Sequence, residues 1–151
     1  MLRSALSESL KEAMRAQDKC AVATLRLVLA ALKDRDIAAR SDGEKSELGD
    51  AEILAMLETM VKQRRESIKM YEKGGRPELA DQEREEIGII ERFLPRQLDD
   101  GEIEAAVAGA IAELGADSLK QMGKVMAALR QNYAGQMDFG KAGAIAKQRL
   151  A

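Results

Sequence analysis

The chain has no histidine, no tryptophan and one cysteine among its 151 residues. Without histidine, neither a serine–histidine–aspartate triad nor a common zinc-hydrolase ligand set can be assembled. Cys20 has no second cysteine with which to form an internal disulfide, so the fold gains nothing from an oxidising compartment. It lies beside Ala21 and Val22, where a buried structural thiol is the simpler reading than a nucleophile. Aromatics are limited to Tyr71, Phe93, Tyr133 and Phe139, so any core must be aliphatic. Only Pro77 and Pro95 interrupt the chain, leaving long segments open to helix. No run approaches the roughly 20 apolar residues of a membrane span, and residues 1–9 lack a secretory apolar stretch. These absences set the expectation of a cytoplasmic protein with no membrane contact, no metal, no cofactor and no catalytic residue of its own.

What remains is rich in alanine, leucine, glutamate, lysine and arginine, all good helix formers. Leu6, Leu10 and Met14 recur at helical spacing in a first helix, and Ser118 with Gln121 marks the start of a later one. Asp18 can cap a second helix running to about residue 39, with Val22, Leu25, Val28, Leu29 and Leu32 inward. Residues 40–49 are polar, hold two glycines and read as an exposed loop. Asp50 opens a third helix through about Lys73, with Ile53, Leu57, Met60, Val61, Ile68 and Tyr71 as its packing surface. Gly74 and Gly75 end it, and Pro77 fits the first turn of a fourth helix. Pro95 biases Leu94 away from helix and marks a join. Asp99 and Glu102 form a capping-box start to a fifth helix, with Ile103, Val107, Ile111 and Leu114 inward. Leu119, Met122, Val125, Met126 and Leu129 form the apolar side of the sixth, and a seventh follows Asp138. The expected fold is all-α: a four-helix domain over residues 1–94, then a smaller three-helix domain over residues 95–151.

Candidate chemistry is sparse. Asp34–Asp36 and Glu83–Glu85 are spaced by two, so the partners of each pair do not share a helix face. Gly74-Gly75-Arg76-Pro77 lacks the lysine and hydroxyl of a nucleotide-binding loop. The serines have no nucleophile elbow, and Ser118 is better suited to capping a helix. Gly123, inside a predicted helix, costs about 1 kcal/mol relative to alanine. Close helix packing would justify it, as would direct approach to an RNA backbone.

The net charge is −2, but it is unevenly distributed. Residues 95–117 set Arg96 against six acids, a net of −5; residues 118–151 set six bases against Asp138, a net of +5. Lys120, Lys124, Arg130, Lys141, Lys147 and Arg149 are therefore candidate nucleic-acid contacts, with Tyr133 a candidate stacking residue or loop anchor. A second basic face, Lys62, Arg65, Lys69 and Lys73, lies along the third helix. Glu58, Glu66 and Glu72 temper it, and an alternating solvated surface explains it as well.

Several segments together resemble the GatB/YqeY-like family. They are Thr24-Leu25-Arg26-Leu27-Val28, Val61-Lys62-Gln63-Arg64-Arg65-Glu66-Ser67 with the Gly74-Gly75-Arg76 turn, Phe93-Leu94-Pro95-Arg96-Gln97-Leu98, and Gly123-Lys124-Val125-Met126. The resemblance implies a four-helix domain followed by a three-helix domain similar to the tail of the B subunit of aspartyl/glutamyl-tRNA amidotransferase. It also implies that the tail binds tRNA while catalysis lies elsewhere. The stretch Asn132-Tyr133-Ala134-Gly135-Gln136-Met137-Asp138 departs from the lysine- and glycine-richer family tails. Three functions stand as expectations: recognition of tRNA or a tRNA-containing complex, an accessory protein–protein module, and assistance to carbon–nitrogen ligation with glutamine as amide donor.

Overall fold

The computed structural model describes residues 1–41 and 47–151. Residues 42–46 of the loop expected over residues 40–49, including Gly43, lie outside the described residues. All regular structure among those described is helical. The chain divides into two compact units, Met1–Leu94 and Pro95–Ala151.

The first unit contains α1 (Leu2–Ala16), α2 (Lys19–Ser41), α3 (Asp50–Lys73) and α4 (Pro77–Glu91). Gln17 adopts a left-handed backbone, φ 55°, between α1 and α2. The Asp18 carboxylate then accepts the Ala21 N–H at 3.1 Å, satisfying one of the unpaired donors of a helix start. At the α3–α4 turn Gly75 takes φ +70°, which glycine adopts without the Cβ clash of other residues. Leu6, Leu25, Val28, Leu32, Ile53, Met56, Leu57 and Ile90 are buried in an aliphatic core, with Phe93 and Leu94 packed against it. Met14, expected inward, is exposed, and Ala13 is buried in its place. A strict four-residue step drifts from a face that repeats every 3.6 residues, so the buried row closes with a step of three.

The unit also buries a charge. Asp36, on the inner side of α2, is 8% exposed. Arg3 of α1 donates to both its oxygens, at 2.8 and 3.1 Å. The Leu48 N–H donates to Asp36 Oδ1 at 2.9 Å, and Arg3 reaches back to the Leu48 carbonyl. This closed network ties the start of α1 to the end of α2 and the approach to α3. A forked guanidinium suits such bidentate pairing.

The second unit contains α5 (Asp100–Leu114), α6 (Met122–Asn132) and α7 (Phe139–Leu150). Its entry is pinned where Leu98 N–H donates to the Gln136 carbonyl at 2.7 Å and Gln97 Nε2 donates to the Gly135 carbonyl. Asp99 accepts the Glu102 N–H at 2.8 Å, and Glu102 accepts the Asp99 N–H at 3.1 Å, the expected reciprocal cap. Arg96 adds a two-pronged contact to the same glutamate at 3.0 and 2.8 Å. Asp138 caps α7 by accepting the Gly140 and Lys141 N–H groups. Ile103, Val107, Val125, Leu129, Met137, Ala142 and Ala146 are buried together.

Two expectations for this unit, the inward Leu119 and Leu114, are corrected. A 3-10 turn, Leu119–Gln121, precedes α6; its three-residue period rotates Leu119 off the α-helical face, and Leu119 is exposed. Ser118 stands at the N-cap of that turn and pairs with Gln121, whose Oε1 accepts the Asp117 and Ser118 N–H groups. Leu114 closes the last turn of α5 and is exposed.

Two outcomes follow from these carboxylates. Arg3, and then the Leu48 N–H, hold the Asp36 carboxyl below its usual range. Its stabilising effect is therefore full above the unfolded value of about 3.9 and is lost as pH falls through the lower folded value. Asp36→Asn is expected to cost about 2 kcal/mol at neutral pH and to flatten the acid limb of stability, as read by urea unfolding across pH. The Glu102 carboxyl, held to about 2 by Arg96 and the Asp99 N–H, should titrate there by carboxyl NMR. Arg96→Ala should move that titration upward.

Candidate nucleic-acid interface

Every basic candidate of the second unit is exposed. Lys120 sits on the 3-10 turn and Lys124 in the first turn of α6, which carries no acid. The positive end of the helix dipole adds to their field there. Lys147 and Arg149 occupy the last turn of α7. Phe139 lies beside Arg130, while Gly143 faces Met122 and Met126, so α6 and α7 run antiparallel. That register sets Lys120 and Lys124 toward the α7 end that carries Lys147 and Arg149. Among the described residues no carboxylate lies within ion-pair distance of these four.

The remaining candidates are engaged locally. The Arg130 guanidinium stands 5.9 Å from the Phe139 ring centroid, within cation–π range. Lys141 Nζ lies 3.2 Å from Asp100. Tyr133 is half-buried against the unit's core and its N–H donates to the Leu129 carbonyl, the position of a loop anchor.

Gly123 is exposed, and a Cβ built on it meets nothing within 4 Å. Close packing inside the unit is therefore not its reason, which corrects the packing expectation. What the missing side chain leaves is a bare patch of helix backbone beside Lys124.

On α3, Lys62, Arg65, Lys69 and Lys73 are all exposed. Arg65 lies 3.8 Å from Glu91 and Lys69 lies 3.7 Å from Glu66, so this face is partly neutralised. Arg64 points elsewhere: it is largely buried and meets Glu86 of α4 at 2.9 Å while donating to the Met60 carbonyl.

The carboxylates that α4 brings onto one face are Glu83 and Glu86, three residues apart, rather than Glu83 and Glu85. Burial first, and then the Glu86 charge, raise the Glu83 carboxyl, with Arg64 opposing. This group joins α3 to α4. Burial likewise raises the Cys20 thiol, which disfavours the reactive thiolate. No group of three or more potential metal ligands occurs among the described residues, and no described helix is long and apolar enough to cross a membrane. Sequence reasoning missed both the Arg3–Asp36 and Arg64–Glu86 pairs. Their only sequence signal was a charge on an otherwise apolar helix face.

The family model described as Yqey-like protein matches residues 3–150. Among curated proteins, the chain is similar to "Altered inheritance of mitochondria protein 41, mitochondrial" of Lachancea thermotolerans, 30% identical over 111 residues, 72% of this chain and 57% of that protein. The proteins of the same name from Vanderwaltozyma polyspora and Eremothecium gossypii are 29% and 33% identical over 89 residues, 59% of this chain and 46% of each. The chain spans about half the length of the curated relatives it matches. Their names place those relatives in mitochondria, and this overturns the cytoplasmic expectation. That expectation rested on missing secretory and membrane signals, which do not report an organelle address.

Because its Cβ has open space, Gly123→Ala is expected to stabilise the protein by about 1 kcal/mol, measured by chemical unfolding. If backbone approach is its purpose, the same variant should bind tRNA more weakly while unfolding later.

Proposed function

The chain belongs to the YqeY-like family, and from that membership we propose that it is a non-catalytic, tRNA-associated helical protein. The observation that carries this reading is the group Lys120, Lys124, Lys147 and Arg149, exposed and without an ion-pair partner among the described residues. The resemblance of the second unit to the amidotransferase B-subunit tail supports tRNA as the ligand. Ammonium and guanidinium groups on helix ends contact phosphates and position a backbone; they do not read bases. Arg130, Lys141 and Tyr133 first serve the unit's own structure and lie at the margin of the site. Any part in glutamine-dependent carbon–nitrogen ligation is then to present tRNA to a separate catalytic subunit.

Phosphate binding releases counterions, so affinity falls with salt in proportion to the contacts made. Joint Lys120→Ala and Lys124→Ala substitution is expected to weaken tRNA binding about tenfold at low salt and to reduce the salt slope by roughly 1.5 to 2. Helical content should be unchanged, because neither side chain is buried. An unaltered slope in the folded double variant removes these lysines from the site.

A further inference from the structure

The acids of the second unit are sorted by helix. Asp100, Glu102, Glu104 and Glu113 lie on α5, whereas neither α6 nor α7 contains an aspartate or a glutamate. Because α5 packs against both of the other helices, its acids stand away from the outward side of the α6–α7 pair. The register of that antiparallel pair is fixed by Arg130 over the Phe139 ring and by Gly143 facing Met122 and Met126. It lays out the outward side in four steps. Lys120 and Lys147 come first, then Gly123 beside Ala144, then Ala127 beside Gly140, and last Arg130. All of these residues are exposed.

The face is therefore a low floor of small residues with cations at both ends. Lys120 and Arg130 are ten residues apart, about 15 Å along the axis. A cationic face without acids fits a polyanion, and the floor decides which polyanion. The bases of a single strand bind by stacking on aromatic rings, but both aromatics of the unit, Tyr133 and Phe139, are half-buried. A DNA major groove is read by side chains that reach base edges, and glycine and alanine have none to offer. A-form RNA instead presents a wide, shallow minor groove lined with 2′-hydroxyls between its two phosphate strands. Small side chains let a helix surface lie close over such a groove, and the cations at the two ends then meet the two strands. Gln131 and Gln148, exposed at the rims of the floor, carry amides that both donate to and accept from a hydroxyl.

We propose that the outward α6–α7 face seats the minor groove of an A-form RNA duplex. The part of tRNA that it holds is then a base-paired arm, not a loop or an unpaired end. The proposal rests on the tRNA reading above and narrows it to a shape: any base-paired RNA sequence serves, because no side chain of the floor reaches the bases.

The test is competition for labelled deacylated tRNA bound to the full-length protein at physiological salt. The competitors are a blunt RNA duplex, the DNA duplex of the same sequence, and one RNA strand alone. The RNA duplex is expected to displace tRNA about tenfold better than either of the others. Ala127→Leu with Ala144→Leu raises the floor without changing charge, and leucine is a good helix former. That pair should weaken tRNA and duplex binding about tenfold with the salt slope unchanged. Ala127→Ser with Ala144→Ser keeps the floor low and should bind as the parent does. Should tRNA bind while the RNA duplex competes no better than the single strand or the DNA duplex, this inference is overturned and the tRNA reading stands. Full affinity in the folded leucine variant overturns it equally, since a purely electrostatic surface is indifferent to the floor. Should neither tRNA nor the RNA duplex bind, both readings fall. Circular dichroism of the variants confirms that the helices persist.

Discussion

Asp36 is the constraint on which the first unit turns. A carboxylate taken out of water is costly unless a cation and hydrogen-bond donors meet it there. Arg3 and the Leu48 N–H do so, and meeting it brings three separated parts of the chain to one point. The chain has no disulfide and few aromatics with which to fix that arrangement otherwise. Aliphatic packing supplies the bulk of the attraction, but such packing is non-directional. The buried ion pair sets how the ends of α1 and α2 meet, and so which side of α2 turns inward and which is left to solvent.

The second unit handles charge differently, and the difference bears on function. Four of its seven acidic side chains are engaged in local structure: Asp99, Glu102 and Asp138 cap helices, and Asp100 meets Lys141. Those four acids are thereby held at helix starts, whereas Glu104, Glu113 and Asp117 are not. Lys120, Lys124, Lys147 and Arg149 keep their field. An overall acidic chain consequently presents a local cationic surface, and local field rather than net charge governs encounter with a polyanion.

Much of the architecture was legible because helix ends and faces are written locally. Asp18, Asp99 and Asp138 announced their caps, Pro77 and the paired glycines announced the α3–α4 turn, and the apolar rows of α2 and α3 kept their period. The errors have physical sources. At Met14 a four-residue step drifts off the face, and at Leu119 a 3-10 turn interrupts the α-helical period. Choosing between the two readings of Gly123 depends on a neighbour that sequence cannot see. Asp36 and Arg64 were missed because their partners lie 33 and 22 residues away, beyond any local pattern. The candidate contacts were legible as a charge contrast, but sequence could not separate Lys141 and Arg130, held by Asp100 and Phe139, from the four cations without such partners. Cellular location is not legible in the same way, because the absence of secretory and membrane signals is not an address.

The most direct test of the account is equilibrium binding of the full-length protein to deacylated total tRNA at physiological salt, with unstructured RNA of matched length as competitor. Saturable tRNA binding that the competitor displaces poorly is expected. Equal displacement by unstructured RNA, or no binding at that salt, would contradict it and leave the cations of the second unit as ordinary solvated charge.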